Sequence, residues 1–181
     1  TFSVLESILV DEKLYIGKEV DEVDLDRIKS ATESLELKVK LINLISRRPR
    51  SEQEIRQYIK KLNLKNKIES LIETLKKEGH IDDLKFSQWW IDQRTTFKNK
   101  SANEIRNELL GKGISNDIIE NTLGETDLSE TELTSIKLLA EKKKRLLAHK
   151  NLTKAQLNEK MMQFLLRKGF RWDIIQKALE E

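Results

Sequence analysis

The side chains best equipped to engage a partner lie in one stretch, ISRRPRSEQEIRQYIKKL, residues 45–62. Arg47, Arg48 and Arg50 surround Pro49, the single proline of the chain, just ahead of Ser51. A guanidinium is a planar fork of donors that matches a carboxylate or a phosphate, whereas a lysine ammonium is a point charge. Two readings stand side by side. In one, Arg47 and Arg48 close a helix, where cations stabilise the negative end by ~0.3–1 kcal/mol. Pro49 then halts that helix and pushes Arg48 towards extended backbone. In the other, the arginines are a cationic handle presented to an acidic partner.

Further cations recur along the chain. Lys142, Lys143, Lys144 and Arg145 form a run, with Arg167, Lys168 and Arg171 following. Arg94, Lys98 and Lys100 make a smaller cluster. A solvated helix face or a helix end explains such runs plainly; contact with phosphate or an acidic surface is the alternative. Trp89 and Trp90 are adjacent, so on a helix they cannot share one narrow face. One belongs in a core, and the other is left for a unit junction or a partner surface; Trp90 is carried forward as that candidate.

Signals for bond-making chemistry are lacking. His80 and His149 are the only histidines and there is no cysteine, which excludes thiolate catalysis, disulfides and cysteine metal sites. No glycine-rich phosphate loop, His-Glu metal spacing or serine nucleophile motif occurs. The expectation is no catalytic residue, no metal and no cofactor.

Composition sets the elements that must hold these side chains. The 181 residues are 38% hydrophobic and 36% charged, with six glycines. That balance suits amphipathic helices with broad wet faces and narrow buried stripes. The net charge of +3 is unevenly spread, at −4 over residues 1–30, +1 over 31–139 and +6 over 140–181. No apolar run approaches the ~18–20 residues that cross a bilayer, and no signal peptide opens the chain. A cytoplasmic, monomeric protein away from membranes is expected. Thr1 is no initiator methionine, so further chain is expected upstream.

Internal repeats organise the rest. Ser51-Glu52-Gln53-Glu54 and Ser101-Ala102-Asn103-Glu104 share the spacing of a helix-starting capping box, and each runs into Ile-Arg. Thr153-Lys154-Ala155-Gln156 offers a third box. Lys112-Gly113-Ile114 corresponds to Lys168-Gly169-Phe170, with Asn63-Leu64 as the first equivalent. Glycine and asparagine accept the φ > 0 that a residue just past a helix end requires. The third box helix is four residues longer, about one turn.

Short second helices follow at Ile68, Leu71, Ile72 and Leu75, at Ile118, Ile119 and Leu123, and at Ile174, Ile175 and Leu179. Longer helices precede the boxes over roughly 35–46, 83–97 and 130–149. Their stripes include Leu41, Leu44 and Ile45, then Phe86, Trp89 and Trp90, then Leu133, Ile136, Leu139 and Leu146.

The expected fold is all-α: three tandem three-helix repeats (35–79, 80–127 and 128–181) stacked into a curved, elongated array. An appended N-terminal segment spans 1–34, where TFSV reads as the end of a strand. Glu6–Lys13 reads as a short helix, and Gly17 as a turn before an acidic helix start.

With these repeats placed, the chain resembles the RecX family, bacterial modulators of the RecA recombinase. The matching pieces are SRRPRSEQEIRQYI at 46–59, EGHIDDLKFSQWW at 78–90, IRNELLGKGISNDIIENTL at 105–123 and FLLRKGFRWDII at 164–175. They cover roughly four-fifths of the chain, from about residue 35 onwards, and FSVLESILVDEKLYIGKEV is similar to the family's N-terminal segment. Asn63, in place of a glycine, and the bulky Trp89-Trp90 pair depart from the pattern.

The resemblance implies an all-helical repeat protein without catalytic activity that lodges in the groove of the RecA–DNA filament. There it would alter ATPase, strand exchange and filament extension, in DNA repair, homologous recombination and the SOS response. Two alternatives stay open: a helical-repeat protein that binds single- or double-stranded DNA, and an adaptor for another protein.

Overall fold

The computed structural model describes residue 4 and residues 6–62, 68–126 and 128–180. Among these there are ten α-helices and no strand. Residues 1–3 of the expected strand end, and Asn63 at the expected first helix stop, lie outside the described residues. No described helix is long and apolar enough to cross a membrane.

Residues 1–81 form one compact unit and residues 82–181 a second. In the first, α1 (Glu6–Asp11) is followed by a turn through Lys13 and Gly17, both at positive φ. Asp21 then starts α2 (Glu22–Arg47) by accepting the Asp24 N–H at 2.7 Å. This helix begins well before residue 35, so the boundary expected between 34 and 35 falls inside it. Nothing between Gly17 and Pro49 breaks a helix, and Ile28, Thr32, Leu37 and Leu41 continue one buried stripe. Pro49 ends it, with Arg48 at φ −165° and ψ 153°, the extended backbone that a following proline favours.

Against α2 pack α3 (Glu52–Lys61) and α4 (Ile68–Lys77). Leu41, Ile55, Ile59, Ile72 and Leu75 are fully buried between them, each contributing roughly 1.5–3 kcal/mol.

The second unit holds two further repeats. The first is α5 (Asp83–Lys98), α6 (Ala102–Gly111) and α7 (Asn116–Glu125). The second is α8 (Ser129–Leu147), α9 (Lys154–Arg167) and α10 (Trp172–Glu180). Burial along 101–110 reproduces that along 51–60 residue for residue, so Ser101, Ile105 and Leu109 stand where Ser51, Ile55 and Ile59 stand.

Three described helices, α4, α6 and α9, end on a glycine in left-handed backbone. Gly79, Gly113 and Gly169 sit at φ 75°, 78° and 81°, and buried Ile114 and Phe170 follow the last two. The extra turn of α9 lies at its start. Met161, Leu165, Phe170 and Ile175 repeat the buried positions of Ile105, Leu109, Ile114 and Ile119 at a constant offset counted from the glycine. One stripe residue is misplaced by the sequence reading. Leu146 is 60% exposed, because the neighbouring Leu147 takes the inward position at the end of α8.

Candidate functional site

At the α2–α3 corner the three arginines divide. Arg48 donates Nη1 and Nη2 to the two carboxylate oxygens of Glu54, both at 3.0 Å, and Nη1 also reaches the Pro49 carbonyl at 2.9 Å. This two-pronged pair ties the end of α2 to the first turn of α3, whose N-cap Ser51 accepts the Glu54 N–H at 3.2 Å. Arg48 is therefore a structural clamp. Arg47 is exposed and Arg50 half-buried, and neither joins an ion pair among the described residues. The Nε of Arg50 is buried without a hydrogen-bond partner. Burial, and then the charge of Arg48, lower the pKa of Arg50, with Glu54 opposing them.

The α5–α6 corner uses its cations differently. Arg94 Nε meets Glu108 Oε2 at 2.6 Å, and the Trp90 indole donates to the same oxygen at 2.9 Å. Lys100 reaches Glu104 at 3.1 Å and Glu108 at 3.6 Å. Lys168, from the end of α9, adds a contact to Glu104 at 3.7 Å. Two carboxylates one turn apart thus absorb three cations. Lys98 alone of this cluster stays exposed without an ion pair among the described residues.

Trp90 is not a surface residue. It is 8% exposed, with the Arg94 guanidinium carbon 3.9 Å and the Lys112 ammonium 4.2 Å from its ring centroid. The expectation of an open tryptophan is corrected here: the indole fits inside because Glu108 satisfies its N–H and cations cover its faces. Trp89 is the half-buried member of the pair.

On α8 the basic run is mostly outward. Lys142 and Lys144 are exposed and join no ion pair among the described residues, Arg145 pairs with Glu141 at 3.1 Å, and Lys143 lies 5.1 Å from the ring centroid of Phe164. Arg167 is exposed at the end of α9, and Arg171 is held by Asp173 at 2.8 and 3.2 Å. Of the candidate cations, those without an ion pair or ring contact among the described residues are Arg47 and Arg50 in the first unit, and Lys98, Lys142, Lys144 and Arg167 in the second.

Sequence reading missed the acidic partners that make this division. Glu132 of α8 is 6% exposed and accepts the Ala102 N–H at 2.8 Å, satisfying a free donor at the start of α6. Ser101 Oγ donates to the Lys168 carbonyl at 2.7 Å, and Asn103 Nδ2 to the Gly169 carbonyl at 2.9 Å. These contacts lock α6 to the following repeat. Arg56 binds Glu69 and Glu52, which hold its pKa well above the usual range, and Arg106 pairs with Glu120. The repeated Ile-Arg dipeptide was the available signal for this second clamp. No group of three or more potential metal ligands occurs among the described residues.

Comparison with known proteins places this architecture. The domain described as "RecX, second three-helix domain" matches residues 82–123, and "RecX, third three-helix domain" matches 130–179; together they cover just over half of the chain. The regulatory protein RecX of Bacillus cytotoxicus is 32% identical and that of Bacillus mycoides 31%, each alignment covering 99% of this chain and 66% of the relative. The chain thus spans a little under two thirds of the length of these relatives. A crystal structure of regulatory protein RecX superposes with a TM-score of 0.81 at 25% identity, covering 100% of this chain and 90% of that one. RecX from Lactobacillus salivarius gives 0.72 at 23% identity, covering 83% and 96%, and so bears on the fold alone. An all-helical repeat chain with these domain matches and relatives belongs to the RecX family.

Proposed function

We propose that this protein is a non-enzymatic regulator of the RecA recombinase. It acts in the cytoplasm as a monomer and lies in the groove of the RecA–DNA filament, where it inhibits ATPase, strand exchange and filament extension. The three repeats are its working parts. The observation that carries the reading, beside family membership, is the α2–α3 corner: a clamp, Arg48–Glu54, sits beside two further guanidiniums that join no ion pair among the described residues. Such forks bind carboxylates or phosphates of a partner surface.

The test is RecA ATPase on single-stranded DNA with and without the protein. Arg47→Ala with Arg50→Ala is expected to weaken inhibition at least tenfold while leaving helicity intact. Arg48 is left in place because its loss would loosen the corner itself. Full inhibition by the double variant would remove this corner from the contact.

A second reading, direct nucleic-acid binding, is favoured by the unpaired Lys142, Lys144, Lys98 and Arg167. It predicts duplex binding that falls steeply with salt, in proportion to the phosphates contacted, and no effect on a filament.

A further inference from the structure

The α8–α9 hairpin differs from its counterpart α5–α6 at the end where the two helices join. The connection runs over 148–153, against 99–101 between α5 and α6, and the extra turn of α9 lies at this same end. From Ala148 to Gln156 every residue but half-buried Leu152 is exposed. A capping box holds the tip in place: Thr153 Oγ1 accepts the Gln156 N–H at 3.3 Å, and the Gln156 side chain accepts the Thr153 N–H at 3.0 Å.

The charge of this end has one sign. No acid occurs from Lys142 to Asn158, the longest acid-free stretch of the chain, which carries five lysines and one arginine. The acids at its two borders are engaged. Glu141 pairs with Arg145 at 3.1 Å, and Glu159 accepts the Gln163 side-chain amide at 3.1 Å. Lys143 lies against Phe164. Lys142, Lys144, Lys150 and Lys154 are exposed and join no ion pair among the described residues.

Residue type decides what such a surface fits. Protein interfaces favour aromatics and arginine and are poor in lysine. The stretch has no Phe, Tyr or Trp, and Leu146 is its single exposed large apolar residue. A lysine ammonium is a compact point charge that meets a phosphate from any direction, whereas the guanidinium forks of the α2–α3 corner suit a directed, two-pronged bond. We propose that the α8–α9 hairpin is a lysine prong that holds the sugar-phosphate backbone of DNA and reads no sequence. Backbone contacts of this kind position a protein on nucleic acid and carry no base information. The proposal rests on the direct nucleic-acid reading, to which it gives a location, and it holds whether or not a filament is regulated as well.

Binding of fluorescein-labelled duplex and single-stranded DNA of unrelated sequences is followed by anisotropy over a salt series. Wild-type protein is compared with Lys142→Gln/Lys144→Gln/Lys150→Gln/Lys154→Gln and with a control of equal charge loss in the first unit, Lys40→Gln/Lys60→Gln/Lys61→Gln/Lys77→Gln. All eight positions are exposed, and circular dichroism checks that each variant folds. A photo-crosslinking phenylalanine analogue at exposed Asn151, in otherwise wild-type protein, reports contact without any loss of charge.

The expected result is at least a tenfold loss of affinity in the hairpin variant, on every sequence and on both forms of DNA, with little change in the control. The slope of log affinity against log salt should become shallower by roughly 0.7–0.9 for each lysine that meets a phosphate, and position 151 should crosslink to DNA. Wild-type protein that binds no DNA overturns the nucleic-acid reading and this site with it. DNA binding that the hairpin variant retains in full, or that the control loses equally, overturns the site alone, as does bound DNA that position 151 never reaches. A strong preference for one sequence overturns the claim that only charge is read. Tighter binding of labelled polyglutamate than of DNA assigns the prong to an acidic protein surface and overturns it as well.

Discussion

Helices α3 and α6 start alike and use their cations differently. Each opens on a buried serine cap with a glutamate three residues on, and each has a cation just upstream of the serine, Arg50 or Lys100. Lys100 finds two carboxylates, Glu104 and Glu108. Arg50 finds neither counterpart. Arg48 already occupies Glu54, and the position equivalent to Glu108 is Tyr58, which packs against the core. These two differences leave Arg50 outside any ion pair among the described residues at the first corner, while Lys100 is paired at the second. A cluster of basic residues in a sequence is therefore no measure of the charge a surface offers; the count of acids within reach decides.

The sharpest way to break the comparison is at Gly169, whose turn seals the start of α6. A Cβ there would lie 2.9 Å from Ser101 Oγ and 3.1 Å from Asn103 Cβ, and the backbone is at φ 81°. Gly79 has nearly the same φ but nothing within 4 Å of a Cβ. Left-handed backbone costs an alanine roughly 1–2 kcal/mol at either position. Gly169→Ala adds displacement of a sealed junction, so it is expected to cost roughly 2–4 kcal/mol against roughly 1–2 for Gly79→Ala. Urea unfolding measures both. All three tryptophans lie in the second unit, so their fluorescence follows Gly169→Ala, and circular dichroism follows Gly79→Ala. Equal losses would mean that the contact to Ser101 yields freely.

A smaller effect comes from the acids. Glu108→Ala strips the acceptor from the Trp90 indole and a partner from both Arg94 and Lys100, and is expected to cost about 1–3 kcal/mol. Glu54→Ala removes the two-pronged partner of Arg48, and about 1 kcal/mol is expected for that part-exposed pair. Glu108→Ala should also shift tryptophan emission, since Trp90 loses its hydrogen bond; Glu54→Ala should not. If Glu54→Ala proves the costlier, the first corner depends on its clamp more than the second depends on its network.

Much of this was legible from residue spacing. Capping residues, glycine stops and the Ile-Arg repeat depend on neighbours three to five positions apart, and the structure repeats them in place. The acidic helix start after Gly17 was legible; its unbroken run past residue 34 was not, because the stripe through Ile28 and Thr32 is too polar to stand out. The fate of each cation was hidden for another reason. Arg94 reaches Glu108 across 14 positions and Lys168 reaches Glu104 across 64, so pairing depends on packing between helices. Trp90 shows the same limit. Its adjacency to Trp89 argued that one indole must face outward, but cations from two helices cover it instead.

The smallest effect separates the corners by acidity. Glu52, next to the Ser51 cap, is held below the ordinary carboxylate pKa by Lys76, against a cost of burial, with Arg56 assisting. A carboxylate with a depressed pKa stabilises the fold above its unfolded value, and that contribution fades as pH falls through the folded value. At the second corner the equivalent residue is Ala102, which takes its acid on the backbone N–H from Glu132 and has no side chain to titrate. Glu52→Gln should therefore flatten the acid-side loss of stability in the first unit, by about 1 kcal/mol or less for so accessible a network. Amide exchange at buried Ile55 and Ile59, followed from about pH 6 to about pH 4 across the ordinary glutamate range, reads the first unit separately from the second. An unchanged pH slope in the variant would mean that Lys76 and Arg56 hold Glu52 in place without favouring its charge.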